Sequence, residues 1–544
     1  MTFARGALSR QGPHWQRVST YSYRLALALS TASCAPVEQP RPSAGAPVAA
    51  PPSAAPVDAA APILATDEPK PPEPLGLPKP DGPLYELPFA ARSARIRGGA
   101  LELVLAPECE LMIVDPLSGQ ARSRAALPDI RMGPAVDCRC DLGADVVVCK
   151  DGKREAQALG IPKAENLWTR SPSDPDFDWS FTELGPDALV LEWPWARMRK
   201  LPPQLLAALE SRTGKLKWSE EILGSTALPG RGFASDGARL ALWSGEDPSH
   251  EAELTLYASG GRRVWRRSFP WSELGILIDS HLVVQGRHVA FQRGHGVTLL
   301  DARSGEVLLK LPQPAGARVT SLAVCGDSLL VTRLDLGASS SALSVVSTSD
   351  GKERFVQTHR MRESSSAVCT EDRVFWQEDG RLSALDARSG QELWSYFSGR
   401  PGSLGGLRLV HPELLLFSAD LRTTAFATGS QLSARSASVS GRIKLASRLV
   451  GVSQNLGGIE VRAGEAQATT DASGRFRLEL QGRGRAELRV AAAEWLARQK
   501  RLKTPAYTFP CVRDVETPSV DLESATRAHD VELTLKVEPC IVDP

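Results

Sequence analysis

The sequence predicts an all-β protein: a disordered N-terminal region, a seven- or eight-bladed β-propeller with eight blades favoured, and a C-terminal β-sandwich. Three observations predict it. A glycine-centred motif recurs about every 45 residues, the length of one four-stranded propeller blade. The 544 residues include 45 glycines and 40 prolines, which favours turns over long helices. Short alternating runs separated by glycine turns follow residue 438, as in a sandwich.

Residues 1–34 are typical of an export signal. A short apolar run after Arg24 follows a positively charged stretch and ends in small residues before Cys34. This pattern resembles a bacterial lipoprotein signal, although Thr31 stands where such signals usually place leucine. The resemblance implies that Cys34 is lipidated and anchors the chain in a membrane. Plain export with cleavage nearby, or a chain that is not exported, are the alternatives.

Residues 35–83 predict a disordered linker. Fifteen of these 49 residues are proline, and the segment has no apolar period with which to bury a core. Proline favours extended backbone, at roughly 3.1 Å per residue. We therefore expect a spacer that lifts the folded body off the membrane; an inert tail is the alternative.

The repeat is defined by fixed offsets around six glycines, which are Gly119, Gly214, Gly261, Gly305, Gly351 and Gly390. An acidic residue stands four positions before four of them, and a large apolar residue stands four positions after five of them. The first interval is about twice the others, so we expect a degenerate copy near Asp151–Leu167. A partial unit at Leu407–Thr428 follows the last clear copy. Six clear units, one degenerate and one partial predict seven or eight blades.

The physical chemistry of the unit explains the offsets. Glycine supplies a positive φ at a turn, while aspartate and serine or threonine hydrogen-bond the turn backbone. The segment Asp386–Trp394 resembles the PQQ-type propeller repeat, and the resemblance covers about residues 84–430. In that family the tryptophan docks one blade against the next. The resemblance assigns this role to five residues, which are Trp218, Trp265, Trp394 and, by substitution, Leu309 and Phe355.

Some propellers of this type are quinone-dependent dehydrogenases, and the resemblance implies an adjacent cysteine pair in those enzymes. The nearest feature in this chain is Cys138-Arg139-Cys140, which is not adjacent. We therefore predict a protein that is not an enzyme and has no cofactor. A quinone-dependent dehydrogenase is the less favoured hypothesis.

Two patterns suggest metal ligands, and neither is strong. The first is three histidines seven residues apart, which are His281, His288 and His295. Blade strands repeat at about that interval, so surface or turn histidines are the simpler interpretation. The second is the start of a calcium loop, Asp174, Asp176 and Asp178. Trp179 stands where such a loop needs glycine, and no glutamate occupies the twelfth position. We predict no metal site.

Residues 438–544 predict a second β domain. The run Thr470-Asp471-x-x-Gly474-x-Phe476 resembles the carboxypeptidase regulatory-like domain. There the aspartate and glycine shape a hairpin turn and the phenylalanine enters the core. The resemblance implies a small β-sandwich accessory with a C-terminal extension and no activity of its own.

Nine cysteines less Cys34 leave eight, an even number that suits disulfides in an exported protein. We favour a bond between Cys511 and Cys540. Cys138 and Cys149 flank an expected hairpin turn and could face each other. Two cysteines at matching places in successive repeats, Cys325 and Cys369, could be bonded or could be two buried thiols.

A formal net charge of +1 gives no general attraction to nucleic acid, and no ribbon of alternating basic and aromatic residues is present. The most favoured function is a non-catalytic scaffold or protein-interaction platform. We expect it to be anchored in the outer membrane, facing the periplasm or the cell surface, with an envelope protein as its partner. A polysaccharide-binding surface protein, with a glycan partner, is the alternative. The predicted contact region is an insertion, Trp168–Pro203, with four tryptophans, which are Trp168, Trp179, Trp193 and Trp195.

Overall fold

The computed structural model describes residues 72–106, 108–128, 130–132, 135–143, 145–150, 155–171, 177–185, 187–194, 204–222, 232–244, 251–270, 281–293, 296–314, 316–335, 340–359, 365–378, 380–398, 406–419, 421–447, 452–463, 466–499, 508–515, 518–523 and 527–541. Cys34 and residues 35–71 of the predicted linker lie outside this part of the chain, as does the predicted export signal. The fold is nearly all β.

The first half of the described chain contains a short opening strand, β1 (Tyr85–Leu87), and four blades. Blade one contains β2 (Ala90–Arg97), β3 (Ala100–Ala106), β4 (Glu110–Val114) and β5 (Ala121–Ala126). A small hairpin follows, formed by β6 (Ile130–Met132) and β7 (Ala135–Asp137). Blade two contains β8 (Cys140–Leu142), β9 (Val146–Lys150), β10 (Ala156–Gly160) and β11 (Glu165–Arg170). Blade three contains β12 (Phe177–Leu184), β13 (Asp187–Pro194), β14 (Gln204–Glu210) and β15 (Leu216–Ile222). Blade four contains β16 (Phe233–Ser235), β17 (Arg239–Ser244), β18 (Glu251–Ala258) and β19 (Arg263–Pro270).

Four further blades follow in the same meander. Blade five contains β20 (Leu282–Gln285), β21 (His288–Arg293), β22 (Gly296–Asp301) and β23 (Val307–Pro312). Blade six contains β24 (Ala317–Cys325), β25 (Ser328–Asp335), β26 (Ser340–Ser347) and β27 (Glu353–His359). Blade seven contains β28 (Ser366–Cys369), β29 (Arg373–Glu378), β30 (Arg381–Asp386) and β31 (Glu392–Ser398). Blade eight contains β32 (Leu407–His411), β33 (Leu414–Ala419) and β34 (Arg422–Ala427).

The opening strand completes the last blade. Strand β1 pairs antiparallel with β34, and Tyr85 lies opposite Ala425. Each innermost strand contacts that of the next blade, and β32 of blade eight contacts β2 of blade one, so the sheets form a closed ring. The predicted eight-bladed propeller is therefore confirmed.

The motif turn has the geometry that its residue types predict. In blade seven the carboxylate of Asp386 accepts hydrogen bonds from the amide and hydroxyl of Ser389, both at 2.7 Å. These bonds hold the pKa of Asp386 below its usual value. Gly390 has φ +72° and donates its amide to the Asp386 carbonyl at 2.9 Å. Glycine tolerates this backbone conformation without steric cost, which explains its fixed place in the repeat.

The degenerate copy lies in blade two and lacks the motif glycine. Ala164 occupies the turn position with φ +55°, and its amide donates to the Gly160 carbonyl at 2.7 Å. Trp168, four residues after Ala164, is the large apolar residue of this copy. The predicted insertion Trp168–Pro203 is wrong, because its described residues form the end of β11 and the first two strands of blade three.

The second domain begins with β35 (Arg435–Ser447) and contains two sheets and one short helix. Its other elements are β36 (Glu460–Ala463), β37 (Ala466–Thr469), β38 (Arg475–Glu487), β39 (Arg489–Ala491), α1 (Ala493–Ala497), β40 (Thr508–Val515), β41 (Ser519–Asp521) and β42 (Arg527–Ile541). Strands β38, β35, β42 and β40 form one sheet in that order, with β41 beside β38, and β37, β36 and β39 form the other. Buried Ile443, Phe476 and Trp495 belong to the core that the two sheets share.

The turn before β38 is built around Asp471. Its carboxylate accepts the amides of Ser473 and Arg475, both at 2.9 Å, and Gly474 has φ +81°. Phe476 follows and is buried. The aspartate and glycine thus fold the hairpin and direct the phenylalanine inward.

The two domains belong to one compact unit and share a sheet. Strand β38 pairs in parallel with β31, the outermost strand of blade seven, over Tyr396, Phe397 and Ser398. Gly484, opposite Phe397, has φ +80°, and a Cβ there would overlap the Phe397 carbonyl oxygen. The amide of Gly484 donates to the Glu523 carboxylate at 3.0 Å. Backbone pairing, rather than a flexible linker alone, therefore joins the sandwich to the propeller.

Three disulfides lie in the propeller, linking Cys109 to Cys138, Cys140 to Cys149, and Cys325 to Cys369. The expectation that Cys138 faces Cys149 is wrong, because Cys140 is the residue directly opposite Cys149 in the β8–β9 ladder. Cys511 is also disulfide-bonded. Its strand pairs with the strand that carries Cys540, whose side chain lies outside the described part of the chain, so that pairing stays a prediction.

The bond between Cys325 and Cys369 links the innermost strands of blades six and seven across 44 residues. Replacing both cysteines by alanine is expected to lower the free energy of unfolding by about 2 to 4 kcal/mol, because the bond restricts the unfolded chain. Urea denaturation measures the loss. The matched control replaces Cys140 and Cys149, which are only nine residues apart. An equal or larger loss in that control would contradict the loop-entropy explanation.

Candidate interaction site

The five predicted docking residues lie at consecutive blade junctions. Four of them pack over the motif glycine of the next blade, where an added Cβ would meet the side chain at 2.5 to 2.9 Å: Trp218 over Gly261, Trp265 over Gly305, Leu309 over Gly351, and Phe355 over Gly390. Trp394 instead donates its indole N–H to the Ser430 carbonyl at 2.9 Å. The motif position therefore needs glycine for two reasons: it has a positive φ, and a Cβ there would overlap the docking side chain of the neighbouring blade.

Two docking residues were not predicted in this role. Trp168 packs over Gly214, where an added Cβ would lie 2.7 Å from the indole ring, and it donates its indole N–H to the Ser211 carbonyl at 2.8 Å. This half-buried position lies between blades two and three, so Trp168 does not belong to an exposed contact region. Tyr85 covers Gly119 in the same manner and thus joins blade eight to blade one. The side chains of Trp179 and Trp193, and all of Trp195, lie outside the described part of the chain.

The histidines considered as metal ligands have separate surroundings. His281 lies within 3.1 Å of the Val319 carbonyl, and His288 pairs in the ladder with Asp301. Burial lowers the pKa of His288, so this imidazole is more often neutral than an exposed one. His295 and the acidic side chains near Asp176 lie outside the described residues.

Three charged side chains lie on the innermost strands of blades eight, one and two. Arg92 sits at a β-bulge of β2, Arg408 lies on β32, and Asp141 lies on β8. Burial raises the pKa of Asp141, and the two arginines partly offset this effect. Asp141 is nevertheless reached by solvent. Both observations fit a carboxyl group that is surrounded by protein atoms and still has contact with solvent.

The raised pKa of Asp141 predicts a pH-dependent stability. A raised folded-state pKa contributes stability that is present below the ordinary value of 3.8 and is lost as pH rises. The variant Asp141→Asn should therefore gain stability relative to the wild type between pH 4 and pH 7. Denaturant titrations at both pH values measure this. Asp386→Asn, which removes a carboxyl of lowered pKa, should show the opposite trend, and equal trends would contradict the assignment.

A cleft of about 600 Å³ lies where blades six and seven meet the sandwich, and we call it the junction cleft. Its volume falls within the range of roughly 300–1,000 Å³ that is usual for ligand pockets. Buried aromatic side chains of blade seven, Trp376, Trp394 and Phe397, line it. The sandwich contributes Ala463 and Ala466 from β36 and β37 together with residues of β38.

Polar groups of the junction cleft are held by neighbours. Arg381 donates from a single guanidinium nitrogen, Nη2, to both carboxylate oxygens of Glu392, at 3.0 and 2.8 Å. His359 stacks on Trp376, with ring centroids 4.4 Å apart, and its Nδ1 contacts the Glu378 carboxylate. The hydroxyl of Ser341 donates to the same carboxylate. The cleft thus combines an apolar floor with fixed hydrogen-bonding groups, an arrangement that can bind a polar or peptide ligand.

Sequence reasoning missed the junction cleft. Its residues come from blades six and seven and from a domain about 80 residues later, so no local motif marks it. The one available signal was the pair Gly482 and Gly484, two glycines within a strand pattern. Such glycines indicate that another backbone approaches closely, and here that backbone is β31.

A family model described as outer membrane protein assembly factor BamB matches residues 250–404 and 293–474, together under half of the chain. The propeller repeats are PQQ-like. None of the curated protein sequences matches this chain.

Several solved structures resemble the PQQ-like propeller. BamB from Moraxella catarrhalis is 11% identical, with a TM-score of 0.43, over 64% of this chain and 99% of that chain. A quinohemoprotein alcohol dehydrogenase from Comamonas testosteroni is 10% identical, with a TM-score of 0.45, over 65% and 77%. The WD40 domain of SCAP from fission yeast is 9% identical, with a TM-score of 0.42, over 64% and 98%. At such identities we draw nothing from them about activity.

Among the described residues, no helix has the length and apolar character needed to cross a bilayer.

Proposed function

We propose that the chain is a non-catalytic scaffold of the bacterial cell envelope that holds other proteins on its PQQ-like propeller. The observation that carries the proposal is the match of residues 250–474 to the repeats of a family described as an outer membrane protein assembly factor. A propeller supports such a role because its docked blades form a rigid ring that presents loops and outer strands to partners. The proposed partner is an envelope protein.

The scaffold is tethered, in this proposal, through a lipid on Cys34 and a proline-rich spacer to the outer membrane. It faces the periplasm or the cell surface. The predicted disordered linker of residues 35–83 is too long at its end, because Leu75 and Leu77 pack against the core of blades eight and one and so belong to the folded body. The amide of Leu75 donates to the Glu413 carboxylate at 2.8 Å.

The tether predicts the effect of one substitution. In the variant Cys34→Ser the protein should lose incorporation of radiolabelled palmitate and should move from the membrane fraction to the soluble fraction. A lipid is the proposed membrane attachment, so its loss is expected to abolish membrane retention. Ser43→Ala is the control, because it changes a polar residue of the same N-terminal segment and leaves Cys34 in place. Unchanged fractionation of Cys34→Ser would contradict the tether.

The sandwich is, in this proposal, a carboxypeptidase regulatory-like accessory without activity of its own. The hairpin built by Asp471 and Gly474, with Phe476 in the core, supports this assignment. Its attachment to β31 keeps the sandwich at one place on the ring.

Affinity purification of the tagged full-length protein from its native envelope tests the scaffold. A protein partner that remains bound through washing in 0.5 M salt is the expected result. A retained glycan without a protein would favour the second candidate, a polysaccharide-binding surface protein. The observation in favour of this candidate is the aromatic floor of the junction cleft. Dye-linked dehydrogenase activity after addition of a quinone would overturn the non-catalytic assignment.

A further inference from the structure

We propose that the junction cleft binds an extended segment of a partner protein, which pairs as a β-strand with the open outer edge of β31. This inference rests on the proposed function and specifies how one partner is held. It commits to a peptide of alternating basic and apolar side chains.

The edge of β31 is the first observation. On its inner side β31 pairs with β30 from Glu392 to Phe397. On its outer side the ladder with β38 covers only Tyr396–Ser398. Within the described residues, the outer edge of β31 from Glu392 to Ser395 has no ladder partner. An exposed edge presents a row of backbone donors and acceptors to which another strand can add.

Strand β38 shows the same pattern on the facing side. Its residues Leu480 and Gln481 pair with β35 on one edge, and in the described chain no strand pairs with their other edge. Both residues line the junction cleft together with Glu392 and Ser395. The two parallel strands therefore pair at one end and diverge at the cleft, which leaves open strand edges on both walls.

Side chains of the junction cleft define the chemistry of the occupant. Buried Trp376 lies in the floor, and its indole N–H makes no hydrogen bond in the structure. Leu393, 38% exposed, adds apolar surface at the mouth. Glu392 and Glu479 are exposed carboxylates on opposite walls, and each is paired with an arginine of this chain, Glu392 with Arg381 and Glu479 with Arg477 at 3.0 Å. A basic side chain of the occupant would share the carboxylate with that arginine. Since successive side chains of a strand point to opposite sides, apolar residues would face the floor and lysine or arginine the rim.

The chain's own linker is a poor occupant. Fifteen of residues 35–83 are proline, which lacks the backbone N–H that a strand must donate. A segment of another protein therefore fits the edge better than the tether does.

The test uses a defined probe with the full-length protein. The probe is a capped, fluorescein-labelled heptapeptide of alternating lysine and valine, and its binding is followed by fluorescence polarisation. We expect saturable binding and a loss of affinity of at least tenfold for the scrambled peptide. Of two further peptides, methylated on the valine or the lysine amides, at least one should lose tenfold, since each removes the donors of one strand edge.

Two variants locate the binding. Ala466→Trp fills the junction cleft from β37 and should weaken binding at least tenfold. Gln467→Trp adds the same ring to the opposite, exposed side of β37 and should bind as the wild type does. Thermal unfolding of both variants verifies that the sandwich remains folded.

Three results would overturn the inference: no binding of the probe, full affinity of both methylated peptides, or equal binding by Ala466→Trp. Displacement of the probe by a neutral oligosaccharide with no effect of methylation would assign the cleft to a glycan instead. The two proposals fail separately. If the wild-type protein captures the envelope partner but does not bind the probe, the scaffold stands and the strand-binding cleft falls.

Discussion

Replacing Gly484 by alanine is expected to detach the sandwich from the propeller, at a cost of about 3 to 5 kcal/mol. The residue has φ +80°, so alanine first bears the steric cost of that conformation, roughly 1 to 2 kcal/mol. The added Cβ then overlaps the Phe397 carbonyl oxygen and lies 2.9 Å from the Tyr396 ring. Both contacts belong to β31, and only a shift of β38 away from β31 relieves them.

Limited proteolysis and denaturant unfolding measure this effect. The sandwich should become cleavable from the propeller, and its unfolding should separate from that of the ring. Gly316→Ala is the matched control, because Gly316 has φ +81° with no atom near its Cβ position. The control should lose only the free energy of unfolding that corresponds to placing alanine at a positive φ. Similar losses in both variants would show that the contact with β31 is unimportant.

Replacing Trp394 by alanine is expected to cost about 3 to 5 kcal/mol and to loosen the ring between blades seven and eight. The side chain is 3% exposed and stacks on Phe426 of blade eight, with ring centroids 5.5 Å apart. Its indole N–H also donates to the Ser430 carbonyl. Alanine removes the ring, leaves a cavity and removes one of the two donors to that carbonyl, the other being the Arg373 guanidinium at 2.6 Å.

Urea unfolding of Trp394→Phe separates the two contributions. Phenylalanine keeps most of the ring volume but loses the hydrogen bond, so we expect a loss of about 1 to 2 kcal/mol. A loss in Trp394→Phe as large as in Trp394→Ala would mean that packing between the blades contributes little.

The number of blades could be predicted because the repeat is governed by local chemistry. A positive φ needs glycine, and the turn needs an acceptor such as Asp386, so both recur at fixed offsets. Blade two escaped a clear reading because Ala164 adopts the same turn with φ +55°. The first two strands of blade three, β12 and β13, precede its motif glycine, Gly214, and carry no motif of their own, so the sequence predicts an insertion in their place.

The disulfides and the junction cleft depend on tertiary structure and could not be read locally. The bond between Cys140 and Cys149 follows from the register of β8 and β9, which a hairpin prediction misplaced. The cleft depends on where β38 joins blade seven. That position is set by backbone pairing and by Glu523, whose carboxylate binds the Arg483 guanidinium at 2.8 Å. Neither interaction leaves a periodic pattern in the residues.

The pairing of β1 with β34 has a consequence for biosynthesis. Tyr85 emerges from the ribosome 340 residues before Ala425, its ladder partner, so the first strand waits through nearly the whole of translation without a mate. During that interval the unpaired backbone amides of β1 can pair with another chain and promote aggregation. Blade eight is the last blade to be completed. A nascent chain truncated before residue 422 should therefore leave the propeller ring open and prone to aggregation. A chain that extends past residue 427 contains all of β34 and can close the ring.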